Sequence, residues 1–310
     1  MSFNIYYLIS GMYSSLKPLP KKYNWMLSPF RFLLRQAAYR ILPHYFESSK
    51  FPFQKYHGLE KKVIVSLTSF PKRINYVWLT IQSLMRQTVQ PDKIILWLSQ
   101  EQFDSIDCLP EKLKSLRGEI FEIRLVKKDY RSHKKYLYAF TEFPDDCVVL
   151  VDDDIIYNYN LLEKLTQAHK LYPDRVICNF GSVIRYDNDM ILSDAMWQND
   201  GSMEPDNQNI FFGTGGGSLF VPSLLYSNVL DIVLARRLTP LADDVWLNAM
   251  TRLAGVRTYF LNLGPFLPQS IEDDETLFAC NIVQNDVQIR NVIEYYKKTI
   301  GRDPFSKRME

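Results

Sequence analysis

Cysteine is scarce in this 310-residue chain, with four residues at Cys108, Cys147, Cys178 and Cys280. Their gaps of 39, 31 and 102 residues fit no zinc or redox spacing. Buried thiols in a reducing compartment are the expectation. Long apolar runs are lacking too. The longest early stretch, Phe3 to Tyr13, is 11 residues and contains Asn4, whereas a spanning helix needs about 20. It has neither a basic n-region nor a small-residue cleavage site, so no secretory signal is expected. An excess of one charge is missing: 37 − 35 gives +2. That makes no general case for nucleic acid, which is not expected as a partner. The composition, 46% hydrophobic and 23% charged, excludes wholesale disorder. The length suits one large domain or two small ones.

The charge is unevenly spread. Residues 1–62 hold ten Lys or Arg against Glu47 and Glu60, which is +8; the remainder holds 27 against 33, which is −6. The basic part is rich in aromatics and broken by Pro18, Pro20, Pro29, Pro43 and Pro52. Phe30, Leu33, Leu34, Ala37 and Ile41 have helical spacing and make one apolar face, flanked by Arg31, Arg35 and Arg40. Two readings stay open for it: a helix on an anionic membrane surface, or a helix packed on its own domain with snorkelling arginines. Composition shifts near residue 60. The expected division is a basic aromatic segment, 1–60, and a second unit, 61–310.

From residue 61 the pattern alternates. Val63–Leu67, Lys93–Leu98, Ile123–Val126 and Val148–Val151 read as strands. Asn75–Gln87 and Tyr136–Phe143 read as helices, with a looser helical stretch over Glu111–Arg117. The expected fold class is α/β, a mostly parallel sheet flanked by helices. In such sheets ligands bind beyond the carboxyl ends of strands. The first strand ends in Thr68, Ser69, Phe70, Pro71, Lys72 and Arg73, and the third leads into a basic run through Lys134 and Lys135. Hydroxyls and cations there suit a phosphate.

The fourth strand ends in Asp152, Asp153 and Asp154. Three carboxylates packed together repel unless something neutralises them. Mg²⁺ or Mn²⁺ uses one or two carboxylates together with diphosphate oxygens. In an extended chain Asp152 and Asp154 point to one side and Asp153 to the other. A metal site is favoured over a solvated turn, because four buried aliphatic residues precede the triplet. Asp243 and Asp244 precede an amphipathic run of Ala242, Val245, Trp246, Ala249 and Leu253, with Pro240 suited to the first helical turn. Compensation of the helix dipole would need only one acid. Gly213–Ser218 is not a dinucleotide fingerprint, since its spacing fails and it leads into a strand-like run from Leu219. Close backbone approach to a ligand near Gly216 and a purely structural turn both remain open. Asp187, Asp189, Asp194, Asp200 and Asp206 lie in a polar stretch expected to rim an acceptor site. His133 is expected at the surface.

Several stretches together resemble nucleotide-sugar glycosyltransferases of the GT-A fold, in particular bacterial surface-polysaccharide transferases and, more distantly, exostosin-like enzymes. VVLVDDDI at 148–155 is similar to their Asp-x-Asp element. SLTSFPKRINYVWLTIQSLMRQTVQPDKIILWLS at 66–99 is similar to their opening nucleotide-binding unit. SHKKYLYAF at 132–140 and PLADDVWLNAM at 240–250 are similar to their basic helix start and second acidic motif. The resemblance covers about residues 61–295. It implies a Rossmann-like sheet and transfer of a sugar from a nucleotide-diphosphate sugar, most often a UDP-sugar, with Mn²⁺ or Mg²⁺. The acceptor it implies is a hydroxyl of a glycan or lipid-linked glycan in surface polysaccharide synthesis.

By the same resemblance Thr68, Ser69 and Arg73 sit near the nucleotide, and Lys134 or Lys135 meets the diphosphate or base loop. Asp152 faces ribose or metal, Asp153 the donor sugar and Asp154 the metal. Asp243 and Asp244 lie beside the reacting sugar as catalytic carboxylates, one of them suited to take the proton of the acceptor hydroxyl. The chain departs from the pattern in one respect: all four histidines, His44, His57, His133 and His169, precede the second acidic motif. No C-terminal histidine ligand is therefore expected. The implied location is cytoplasmic, peripheral at the inner face of the cell membrane. Two other classes compete. A sugar-phosphate nucleotidyltransferase would carry a Gly-rich loop after the first strand, and SLTSFPKR has no glycine. A noncatalytic glycan-binding protein would not need to keep both acidic motifs.

Overall fold

A computed structural model describes residues 4–17, 24–52, 54–197, 203–269 and 277–308, with the side chains of the last helix described from 284 onward. Asp200, Pro18, Pro20, Tyr23 and the Cys280 side chain lie outside the described residues.

Seven strands form the central sheet: β1 (Val63–Thr68), β2 (Lys93–Ser99), β3 (Phe121–Val126), β4 (Cys147–Val151), β5 (Val176–Cys178), β6 (Gly216–Phe220) and β7 (Thr258–Phe260). Their spatial order is β7-β5-β6-β4-β1-β2-β3. Only β6 runs antiparallel to its neighbours. The chain steps outward from β1 through β2 to β3, then returns to place β4 on the other side of β1. That return is a switch point, where strand order leaves a crevice at the carboxyl edge. The four expected strands are present, each extended by one or two residues. Their side chains alternate between two apolar layers: Val63, Val65 and Leu67 face one, Ile64 the other.

The first layer contains α1 (Ile5–Ser15), α2 (Ser28–Ser48), α3 (Val77–Leu84) and α5 (Leu161–Leu171). The second contains α4 (Lys134–Glu142), α6 (Asp243–Leu253) and α7 (Leu277–Ile300). α3 is shorter than expected at both ends. α6 begins at Asp243, so Pro240 precedes the helix instead of lying in its first turn. Cys147 and Cys178 are buried as expected, but Cys108 is exposed at the end of a short 3-10 turn.

The change of composition near residue 60 is not a break in packing. Tyr6, Ile9 and Tyr13 of α1 lie in the same apolar cluster as Val63 and Leu84. The buried Tyr6 hydroxyl lies 2.6 Å from the Tyr157 carbonyl and 3.1 Å from that of Ser83. Arg86 donates to the carbonyls of Phe46 and Ser49, each at 3.0 Å, which places a cation at the negative end of α2.

α2 differs from its expected single face. At 100° per residue its apolar positions form two adjoining arcs. Ala38, Leu42 and Phe46 are buried against the domain. Phe30, Leu33 and Ile41, with Trp25 and Met26 just before them, stay exposed; Trp25 is 72% and Leu33 64% accessible. The helix is apolar over too wide an arc for one neighbour to cover. No helix of the described residues is long and apolar enough to cross a membrane.

Candidate active site

The carboxyl ends of β1 and β4 meet at the switch point. Val63 to Leu67 and Cys147 to Val151 pair in parallel register because both are runs of buried β-formers. Polar residues come next as each strand leaves the sheet. After β4 the chain bends, so the alternation expected for the Asp triplet does not hold. Asp152 turns to Lys135, whereas Asp153 and Asp154 both reach Arg73. Arg73 Nη1 is 3.0 Å from Asp153 Oδ1 and 2.8 Å from Asp154 Oδ2. Asp153 is buried; Asp152 and Asp154 are partly open.

The backbone of the triplet is clamped from two directions. Thr80 on α3 reaches the carbonyls of Asp153 and Ile155 through its hydroxyl, at 3.0 and 2.7 Å. Gln269 donates its backbone N–H to the Asp154 carbonyl at 2.7 Å and its side-chain amide to Thr80 at 2.6 Å. Tyr157 accepts from the Asp152 N–H at 2.8 Å and donates to the Gly215 carbonyl.

Lys135 joins the two acidic motifs. Its ammonium is 2.7 Å from Asp152 Oδ1 and 3.2 Å from Asp243 Oδ2, in a nearly closed setting. Burial alone would lower its pKa, but Asp152, Asp243 and Asp244 outweigh that and raise it. The Lys135 carbonyl accepts from Ser66 of β1, and the Ser66 oxygen accepts in turn from Trp97 Nε1 at 2.9 Å. The lysine thus stands on a fixed piece of backbone. The neighbouring Lys134 is also buried, yet it pairs with Asp129 and not with either acidic motif.

His133 is fully buried, contrary to the surface position expected for it. Its Nε2 lies 2.7 Å from the Thr239 carbonyl, so it fastens the start of α4 to the segment leading into Asp243. Burial lowers its pKa, which keeps the ring neutral.

Asp243 and Asp244 open α6 and differ in state. Burial pushes Asp243 up, but Lys135, with the Thr214 hydroxyl, pulls harder, so its pKa is lowered. Asp244 is raised, to about 7, by burial and by Asp243. Its Oδ1 accepts from the Thr214 N–H at 2.8 Å. The Thr214 hydroxyl lies between the two carboxylates. It has one proton and can donate to only one of them at a time. A proton on Asp244 satisfies the second contact, in keeping with its raised pKa.

Thr68 and Gly216 are placed differently from Arg73 and Lys135. The Thr68 hydroxyl donates to the Trp97 carbonyl at 2.8 Å, a bond within the sheet. Ser69 is buried beside the triplet. Gly216 is the first residue of β6, and a Cβ there would stand 2.2 Å from Phe180 Cβ, so its bareness serves packing. Gly215 is the glycine against the site, because a Cβ would lie 1.7 Å from Asp152 Oδ2. Asp206 pairs with Arg175 and Arg257, and Asp194 accepts from Asn285 at 3.0 Å. Nothing in residue type or spacing marks Thr80, Tyr157 or Gln269 as members of the site. Thr214 stands inside the glycine-rich stretch, where its neighbours are the more conspicuous signal.

Asp152 and Asp154 are the carboxylates open enough to hold a divalent cation. Asp154 is raised to about 6 by burial and by Asp152 and Asp153, against Arg73. That field is one a cation would relieve. Among the described residues no group of three His, Cys, Asp or Glu side chains is arranged to hold a metal. The donor set therefore fits a hard cation that shares its shell with substrate oxygens, and not a closed protein cage.

No family model matches the chain, and no curated protein sequence matches it. Among solved structures, one similar fold is a mannosyltransferase from Pyrobaculum calidifontis in complex with GDP-mannose and Mn²⁺. It is 12% identical over 96% of this chain and 78% of its own, with a TM-score of 0.48. Another is 4-diphosphocytidyl-2C-methyl-D-erythritol synthase, 12% identical over 74% of this chain and 99% of its own, with a TM-score of 0.41. Similarity at that level does not reach this chain's chemistry.

Proposed function

We propose that residues 61–310 form a metal-dependent glycosyltransferase of GT-A type. It would move a sugar from a nucleotide-diphosphate sugar, a UDP-sugar by preference, to a hydroxyl of a glycan or lipid-linked glycan. One observation carries this reading: two acidic motifs about 90 residues apart meet across Lys135 at the switch point. Of the residues in that cluster five are carboxylates, Asp152, Asp153, Asp154, Asp243 and Asp244, and two are cations, Arg73 and Lys135. A fixed excess of negative charge at the carboxyl edge of the sheet suits a cation carrying an anionic substrate.

Asp152 and Asp154 would hold Mn²⁺ or Mg²⁺, which supplies charge neutralisation for a departing diphosphate. Lys135 keeps Asp243 ionised and holds Asp152 in place. Thr214 fixes the direction of Asp244 through its N–H and hydroxyl. Asp244 takes the proton of the acceptor hydroxyl as that oxygen bonds to the anomeric carbon. The bond from sugar to phosphate breaks, and the nucleoside diphosphate leaves with its electrons.

The test is a thermal-shift screen of nucleotide-sugars with Mn²⁺. A donor at a hundred times its dissociation constant stabilises by about 2.7 kcal/mol. Asp154→Ala is expected to lose that metal-dependent shift and sugar transfer together while keeping the unliganded melting temperature. Transfer that persists in this variant with the metal chelated would sink the metal reading.

The outer arc of α2 supports attachment to an anionic membrane surface, at the inner face of the cell membrane. Trp25, Met26, Phe30 and Leu33 are exposed within a segment carrying +8. Each Lys or Arg near such a surface contributes about 1 kcal/mol, and salt screens it. The protein is expected to sediment with anionic vesicles at low salt and to release at high salt. Phe30→Ser with Leu33→Ser should weaken sedimentation without loss of folding, since neither side chain is in the core. Vesicle binding that is indifferent to both substitutions would reassign the arc.

A further inference from the structure

The far end of α6 carries a second concentration of charge, of the opposite sign. A cleft of about 570 Å³ there is lined by Arg252, Arg257, Arg302, Arg308 and a single acid, Asp303. α6 spans 11 residues, so this cleft lies about 12–15 Å along the helix from the Asp243–Asp244 pair.

The guanidiniums are held in place, those of Arg252, Arg302 and Arg308 by main-chain carbonyls and that of Arg257 by Asp206. Arg252 donates to the carbonyls of Pro304 and Ser306, both at 2.6 Å. Arg302 donates to the Leu253 carbonyl and Arg308 to that of Arg252, each at 2.8 Å. These bonds tie the chain's last described residues to the end of α6 and suit the negative end of its dipole. Main-chain carbonyls, however, carry no formal charge. Asp303 pairs with Lys297 at 3.0 Å. Asp206 serves both Arg175 and Arg257. The cleft lining thus holds four guanidiniums against one carboxylate, 4 − 1 = +3, and that carboxylate also serves Lys297. Arg257 also has a buried Nε without an acceptor among the described residues. Burial together with Arg252, Arg257 and Arg302 lowers the Arg308 pKa to about 10, as like charges held close would.

We infer that this cleft is an anion site, distinct from the candidate active site, that takes a phosphate or diphosphate group. Arginine forks match phosphate oxygens. The volume admits more than an isolated phosphate, so the group belongs to free diphosphate, a sugar phosphate or a nucleotide. The inference does not depend on the transferase reading, because it uses none of the residues assigned to it.

The test is a thermal shift on the full chain in EDTA, with inorganic pyrophosphate, glucose 1-phosphate and UDP as separate probes and NaCl matched for ionic strength. Pyrophosphate is expected to raise the melting temperature by several degrees beyond NaCl, and equally so in Asp154→Ala. Arg257→Gln and Arg302→Gln should each abolish the shift. Arg257 is the milder change, since its side chain is partly exposed and among the described residues binds only Asp206, so it keeps the test valid if Arg302→Gln fails to fold. The probe with the largest shift identifies the source of the phosphate group. A shift no greater than that of NaCl, or one that survives Arg257→Gln and disappears in Asp154→Ala, overturns the site. In that case the arginines only fasten the chain end.

Discussion

Lys135→Met is expected to destabilise the protein by about 3–5 kcal/mol, the scale for removing one partner of a buried ion pair. Asp243 is nearly closed to solvent and would be left with either an uncompensated charge or an imposed proton, while the half-exposed Asp152 would be rehydrated. The variant should also lose sugar transfer. Chemical denaturation checks the first effect. The double variant Lys135→Met with Asp243→Asn is expected to recover part of the loss, because it removes the stranded charge as well. Equal denaturation midpoints for wild type and Lys135→Met would show that the pair does not hold the two motifs together. The neighbouring Lys134→Met should leave donor-dependent behaviour unchanged, since its ammonium answers to Asp129.

Asp244→Asn is expected to slow transfer by at least about a hundredfold, the scale for a lost general base, while donor binding survives. Folding should not suffer. The Asp244 pKa is raised, to about 7, in the fold, so its ionised form opposes folding above the ordinary carboxylate range. Asparagine removes that opposition at high pH. Asp243→Asn has the reverse signature, a loss of stability, because it takes from Lys135 one of its two direct carboxylate contacts. Rate against pH separates the roles further. A base with a raised pKa is protonated and inactive at low pH, so the wild-type rate should climb as pH rises through about 7. A flat profile over that range, or mild and equal effects of the two substitutions, would reduce the pair to the charged start of a helix.

The sequence by itself determined four of the seven strands of the central sheet and where their chemistry leaves it. Val63–Leu67 and Val148–Val151 could bury their side chains only as central strands, and the polar residues after each run had to emerge at one edge. The two acidic motifs, and the +8 of the first 62 residues, were equally plain, because residue type and local spacing carry them. The wide apolar arc of α2 was only half legible. Periodicity identifies an apolar face, but whether a domain or the outside meets it depends on a neighbour distant in sequence, here the cluster containing Tyr6 and Val63.

Tertiary structure alone decided the pairings. Lys134 and Lys135 are adjacent and alike in sequence, yet the helical turn sends one ammonium to Asp129 and the other to Asp152 and Asp243. The bend after β4 redistributed the Asp triplet between Arg73 and Lys135, against the alternation of an extended chain. His133 became a buried fastener because the Thr239 carbonyl, about a hundred residues later, faces it. The unequal states of Asp243 and Asp244 arise in the same way. Two neighbouring residues of one type differ only in what the fold brings to each: a lysine to the first, and to the second the charge of the first.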